Sequence, residues 1–367
     1  MSEEHRHDAW IIIPTVGDPS VLVPTVSRIA QHTDGLRVGL VLSFNVPPED
    51  HAAASAAVET CENICTGKLD LVHTWEDQPI GFGAANNRGL ACAVMAWGPE
   101  EDGPYFPGIT IFHNDDAHVT AGWLTKQISA LTPDKIQGYS DPWNPTDPRS
   151  NRPDRDPSFF GRIGIVGPTS NLVAGIQQLA QIPMGKDQAI RFDGDVDRFA
   201  EVVAQRYEDQ RVTADFISGF SVGFGPGCLS NLLLRVPYGG DELVEVPDDE
   251  IQLEEVTEID PLSDWVTRGS TDHVMNEHPG DLVGPWDEVN FPRAGFEDND
   301  VCVRAERAGW RMIVAQDVFV GHLGHQTFDR LFPDEQRGLR NRFRFYEKWR
   351  DYTQRDQTLV SVFRVKL

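Results

Sequence analysis

The sequence predicts an α/β protein with a mixed, mostly parallel sheet and helices on both faces. Three observations lead there. Short runs rich in β-branched and apolar residues recur at 10–14 (WIIIP), 37–44 (RVGLVLSF), 69–74 and 108–113 (GITIFH). The first, second and fourth are apolar at consecutive positions, as expected of strands covered on both faces. Between them, 21–32, 52–65 and 84–97 have helical character. Strand and helix therefore alternate, and right-handed crossovers lay such strands parallel.

Beyond residue 131 the pattern is less regular. Strands are expected at 162–168, 215–224 and 311–320, and helices at 195–209, 300–309 and 334–352. The stretch 139–158, rich in Pro, Asp, Asn and Arg, reads as an irregular loop. The acidic stretch 237–280 lacks periodicity and reads as an insertion, either a lid or a contact surface. This gives one domain over 1–330, with that insertion, and a C-terminal helical extension over 331–367.

The chain has 367 residues, enough for one large domain or two modest ones. Its 32 basic and 57 acidic residues leave a net charge of −25. That argues against broad binding to a phosphate backbone, although the arginine-rich stretches 149–162 and 337–350 could line a local groove. Five cysteines are an odd count in a long chain, which favours a reducing compartment over a disulfide framework. Cys61 and Cys65, four apart in a helix, are either two buried thiols or a metal pair. The sequence contains no apolar run of about 18 residues that could span a membrane. The charged N-terminus lacks the apolar region of a signal peptide, so the expected location is the cytoplasm.

Ligands of parallel α/β sheets bind beyond the C-terminal strand ends. Four segments there could carry chemistry. In Asn114-Asp115-Asp116-Ala117-His118, Asp116 and His118 share a side of an extended chain and could aim at one cation. An Asn-Asp-Asp turn is the other reading. Glu297 and Asp298 in GFEDND open a helix, either as caps of free N–H groups or as a general base facing a cleft. His322 and His325 follow a strand, as metal ligands or as ordinary loop histidines. A zinc site from these and Asp116 and His118 would lack any cysteine. Finally, GFGAANNRG (81–89) opens a helix with Gly83, Asn87 and Arg88, suiting either a phosphate or a tightly packed turn. Its mismatch to GxGxxG disfavours a dinucleotide.

The order of these segments resembles that of the inverting family 2 glycosyltransferases, which have the Rossmann-like GT-A fold. IIIPTVGD is similar to the family's first nucleotide-binding strand, IGFGAANNRGLACA to its glycine- and asparagine-rich segment, and ITIFHNDDAHVTAGWL to its fourth strand and metal motif. IGIVGPTSN and DFISGFSVGFG resemble its central strands, VGPWDEVNFPRAGFEDNDVCVRAERAGW its late acidic motif, and VFVGHLGHQTF its closing histidine segment. The resemblance implies a divalent metal, manganese or else magnesium, on Asp116, His118 and His322. It implies Asp298 as catalytic base with Glu297 beside it. A nucleotide-sugar donor would meet Thr15, Gly17, Asn45, Gly83, Asn87, Arg88, Asp115 and Asp116. The implied acceptor is a hydroxyl of a glycan or protein, with a hydroxymethylated DNA base as an alternative. A non-catalytic sugar-nucleotide or glycan-binding protein is the rival reading. One departure stands out: Leu42-Ser43-Phe44-Asn45 has no acid where the family usually carries an aspartate for the base.

Overall fold

The computed structural model describes residues 6–33, 35–98, 106–131, 162–173, 175–184, 188–235, 282–292, 295–324 and 336–349. The 139–158 loop, the 237–280 insertion, His325 and residues 350–367 lie outside them.

The first half alternates as expected: β1 (Ala9–Thr15), α1 (Pro19–His32), β2 (Val38–Asn45), α2 (His51–Cys65), β3 (Asp70–Glu76), α3 (Phe82–Trp97) and β4 (Ile109–His113). A two-residue β5 (Ala117–His118) and α4 (Trp123–Leu131) follow. Then come β6 (Ile163–Thr169), the hairpin β7–β8 (Gln181–Pro183, Ala189–Arg191), α5 (Val196–Arg206), β9 (Arg211–Ala214), β10 (Ser221–Phe224) and α6 (Pro226–Leu232). The pair β11–β12 (Leu234–Arg235, Leu282–Val283), α7 (Glu297–Arg307), β13 (Arg311–Phe319), β14 (Gly321–His322) and α8 (Gln336–Lys348) complete the described chain.

Eight strands form one sheet in the order β3-β2-β1-β4-β10-β6-β13-β9. The pairings make β3, β2, β1, β4, β6 and β13 parallel, while β10 and the edge strand β9 run against them. The sheet is therefore mixed and mostly parallel, as the sequence predicts.

Alternation along each strand divides the core between the two faces. Ile11 and Ile13 join Leu22, Val26, Ile29, Ala54 and Cys61 on one face, beneath α1 and α2. Trp10 and Ile12 join Leu90, Ala93, Leu229, Val301 and Ala305 on the other, beneath α3, α6 and α7. Cys61 and Cys65 are part of the first cluster. Burial pushes their thiols up to about 11 and about 12, so they are protonated core side chains at neutral pH.

Of the strand expected at 215–224, only 221–224 is a strand (β10), and 215–220 is a loop and turn that follows β9. Residues 215–220 leave the ladder because their N–H groups go elsewhere: Ile217 N to Cys302 Sγ at 3.4 Å and Ser218 N to Gln177 Oε1 at 2.7 Å. The helix expected at 300–309 begins earlier, at Glu297. Among the described residues, no helix is long and apolar enough to cross a membrane.

Candidate active site

The turn after β4 leads into β5, which pairs antiparallel with β14 and sets His322 opposite Ala117. His322 is held on several sides. Its Nδ1 lies 2.8 Å from the Leu172 carbonyl. Its backbone N–H donates to Asn171 Oδ1 at 2.8 Å, and its carbonyl accepts from Asn171 Nδ2 at 2.9 Å. The Phe220 ring stacks on the imidazole at 5.1 Å. With Nδ1 donating to a carbonyl, Nε2 is left facing Asp116 Oδ1, 3.2 Å away. Burial alone would lower the His322 pKa, but the hydrogen bond and charge of Asp116 outweigh it and raise the net value. A buried carboxylate against a positioned imidazole can hold an imidazolium, or a cation shared with the neutral ring.

Asp115 does a different job. Its Oδ2 accepts from Thr15 Oγ1 at 2.7 Å, and its carbonyl accepts from Thr25 Oγ1 at 2.6 Å. Thr15 Oγ1 in turn accepts from Gly17 N at 2.9 Å. Asp115 thus ties the loop after β1 to the loop after β4. His118 neighbours Asp116, yet its Nε2 is buried with no hydrogen-bond partner. Burial and then Arg28 lower its pKa, against Asp116 and Asp197, so the ring is neutral. The structure joins Asp116 to His322. Among the described residues, no three His, Cys, Asp or Glu side chains converge as a metal cluster. The donor chemistry nevertheless suits a divalent cation: one carboxylate, one oriented imidazole and one neutral imidazole with an uncommitted nitrogen.

The paired carboxyls sit at the start of α7. Gly295 (φ 99°) and Phe296 (φ 71°) both adopt left-handed backbone there. Phe296 occupies the cap position and supplies no capping side chain. Asp298 Oδ1 accepts from Asn299 N at 2.9 Å, and Oδ2 accepts from Gly219 N at 3.2 Å. Asp298 therefore does some capping work while also reaching across to the turn before β10. Burial raises its carboxyl to about 6, although these N–H groups pull the other way. Glu297 is buried, and its Oε2 has no hydrogen-bond partner. Burial and the adjacent Asp298 push Glu297 up to about 8.

The turn before β10 connects the two centres. Gly219 N–H holds Asp298, the Phe220 ring covers His322, and the Phe220 carbonyl accepts from Asn114 N at 2.8 Å. Gly219 packs closely: a Cβ there would lie 3.3 Å from the Phe82 ring and 3.4 Å from Asp298 Cβ.

The remaining predicted donor residues line the same strand ends, several as scaffold. Gly17 (φ 74°) passes so close to α2 that a Cβ would sit 2.4 Å from Ala54 Cβ. Asn45 Nδ2 donates to the Thr15 carbonyl at 3.1 Å. Gly83 packs on Trp286, leaving 3.3 Å for a Cβ. Asn87 mimics a backbone: Nδ2 donates to the Trp286 carbonyl at 2.8 Å, and Oδ1 accepts from Trp286 N at 3.2 Å. Arg88 is exposed between Glu76 at 3.4 Å and Glu288 at 3.6 Å. Asn171, Gly219 and Phe220 complete the site. Each lies in a segment the family resemblance covers, but none has a side chain that sequence chemistry singles out.

No family model and no curated protein sequence matches the chain. Among solved structures, it is similar to GalNAc-T7 with UDP, GalNAc and Mn2+, at 10% identity and a TM-score of 0.48. That match covers 96% of this chain and 50% of the other, so this chain spans half the length of that protein. It is also similar to S. aureus TarS 1–349 in complex with UDP (11% identity, 98% and 75% covered, TM-score 0.40). A third is Mycobacterium tuberculosis glucosyl-3-phosphoglycerate synthase with Mn2+, UDP and glucosyl-3-phosphoglycerate (12% identity, 64% and 62% covered, TM-score 0.31).

Proposed function

We propose that this chain is an inverting, metal-dependent glycosyltransferase of the GT-A type. It moves a sugar from a nucleoside-diphosphate sugar to an acceptor hydroxyl of a glycan or protein. One observation carries the reading: the Gly219–Phe220 turn holds the Asp298 carboxyl on one side and the Asp116–His322 pair on the other. The Asp298 carboxyl and the Asp116–His322 pair therefore stand on either side of one turn, as a base and a metal-holding pair would.

In this mechanism Asp298 accepts the proton of the acceptor hydroxyl as that oxygen bonds to the anomeric carbon. The bond from that carbon to the diphosphate breaks, and the nucleoside diphosphate leaves. Attack opposite the leaving group inverts the centre. Glu297, protonated at neutral pH, leaves Asp298 as the ionised member of the pair. Asp116, His118 and His322 would hold manganese or magnesium, which supplies charge neutralisation for the leaving diphosphate. Asn171, Leu172 and Phe220 fix the His322 ring for that task.

The test is Asp298→Asn in a nucleotide-release assay with manganese across common donors. We expect nucleotide binding within about twofold of wild type and transfer lower by about 10²–10⁴-fold, the usual share of a general base. Near-normal turnover in that variant would remove Asp298 from its role.

A further inference from the structure

Asp300 lies two residues beyond the candidate base, is fully buried, and gathers three donors. Arg304 Nε reaches its Oδ2 at 2.8 Å. Trp349 Nε1 and Lys348 Nζ both reach its Oδ1 at 2.8 Å. The last two belong to α8 and the residue after it. The same helix grips the turn ahead of Glu297. Asn341, only 4% exposed, gives Nδ2 to the carbonyls of Gly295 at 2.9 Å and Pro292 at 3.3 Å. Phe345 packs on Phe296 at 5.6 Å between ring centres. Lys348 also ion-pairs with Asp287, whose carboxylate accepts from Asn290 N at 3.0 Å. The element expected as an appended helix is thus fastened around the start of α7.

That start is where fastening is needed. A phenylalanine in left-handed backbone is disfavoured, and such conformations persist only where the surroundings fix them. Asp298 follows Phe296 by two residues, so its direction depends on that turn.

We propose that α8 is the positioning element of the candidate base. Asn341 and Trp349 hold the Gly295–Phe296 turn and Asp300 so that the Asp298 carboxyl stays against the Gly219 N–H. This rests on the reading of Asp298 as the base. Asn341 and Trp349 are positioning residues, because neither reaches Asp298 itself in the hydrogen bonds described.

Two variants of the full-length protein test it. Asn341→Asp keeps the shape but removes the two N–H donors. Trp349→Phe keeps an aromatic ring but removes its N–H. We expect donor KM within about twofold and kcat lower by about ten- to a hundredfold, since small misplacements of a reacting group have that effect. Amide exchange at Gly219 and Asn299, whose N–H groups hold Asp298, should quicken by about tenfold while β1 and β4 keep their protection. Unchanged exchange at those two amides in both variants overturns the proposal. So does loss of protection throughout the sheet in both, which would make α8 a general stabiliser. Should the wild-type protein transfer no sugar from any donor, the glycosyltransferase reading fails, and the exchange measurement still decides whether α8 holds the turn.

Discussion

Glu297 and Asp298 are adjacent buried carboxyls that ionise at different pH. Asp298 receives N–H groups from Asn299 and Gly219, and backbone groups at Gly295 and Glu297 also favour ionised Glu297, although its Oε2 receives no hydrogen bond. Burial raises both, to about 6 for Asp298 and about 8 for Glu297, so Asp298 ionises first and its charge makes Glu297 harder to ionise. Activity that needs ionised Asp298 should therefore rise with pH through about 6, measured as kcat/KM against pH for the best donor. A flat profile between pH 5 and 7 would count against it. Stability should move the other way. Both carboxyls have folded pKa values above the ordinary range, so their contribution is complete below the unfolded value and is lost as pH rises through the folded one. Glu297→Gln removes the largest such loss. Relative to wild type, its unfolding free energy should gain on the order of 1–3 kcal/mol between pH 5 and pH 9. Chemical denaturation at the two pH values measures this, and an equal difference at both would refute it.

At the scale of elements, one side chain of α3 holds the loop before α7 from the sheet side. Asn87 in α3 pairs with the backbone of Trp286 through both amide atoms and gives a further bond to Glu288 Oε2 at 3.0 Å. Gly284 passes so close that a Cβ would meet Asn87 Oδ1 at 2.3 Å. Asn87→Ala leaves these buried groups unpaired and should cost about 2–3 kcal/mol, read from the urea midpoint at unchanged slope. A shift below roughly 0.5 kcal/mol would mean water replaces the amide at little cost. Asn87 also marks where sequence reasoning stops. Beside glycines at a helix start it reads as a donor ligand, and only the fold reveals its pairing with a loop far along the chain. The strands β1, β2 and β4 were legible because burial on both faces makes them apolar throughout. Edge strand β9 (RVTA) was not, since it is four residues long with Arg and Thr on one side, and its partner β13 lies far along the chain. Asp116 and His322 could be named from motif order. Their meeting depends on the two-residue β5–β14 ladder, too short to leave a periodic signal.

For the whole molecule, charge bears on which acceptors can approach. The chain carries −25 in total, and several of its described cations stand beside carboxylates. Arg28 faces Asp197, Arg37 faces Asp70, Arg88 lies between Glu76 and Glu288, Arg211 faces Asp317, and Lys348 bridges Asp287 and Asp300. In the arginine-rich α8, Arg342 lies over the Tyr346 ring and Arg344 donates to the Asn290 carbonyl at 3.4 Å. These cations are engaged within the fold instead of forming a free track for phosphates. A nucleic-acid backbone recruits proteins by counterion release, so each neutralised phosphate steepens the salt dependence by about one unit in the log–log slope. An acidic molecule with several of its described arginines paired within the fold should show almost no such slope. We therefore expect duplex DNA, plain or hydroxymethylated, to bind too weakly to measure at about 150 mM salt, where even non-specific binders reach about 10⁻⁴–10⁻⁶ M. Fluorescence anisotropy of a labelled duplex across a salt series checks this. A slope of several units would return a DNA base to the front as acceptor. A flat titration, together with transfer to a neutral glycan, would fit a site whose acceptor approaches without electrostatic steering.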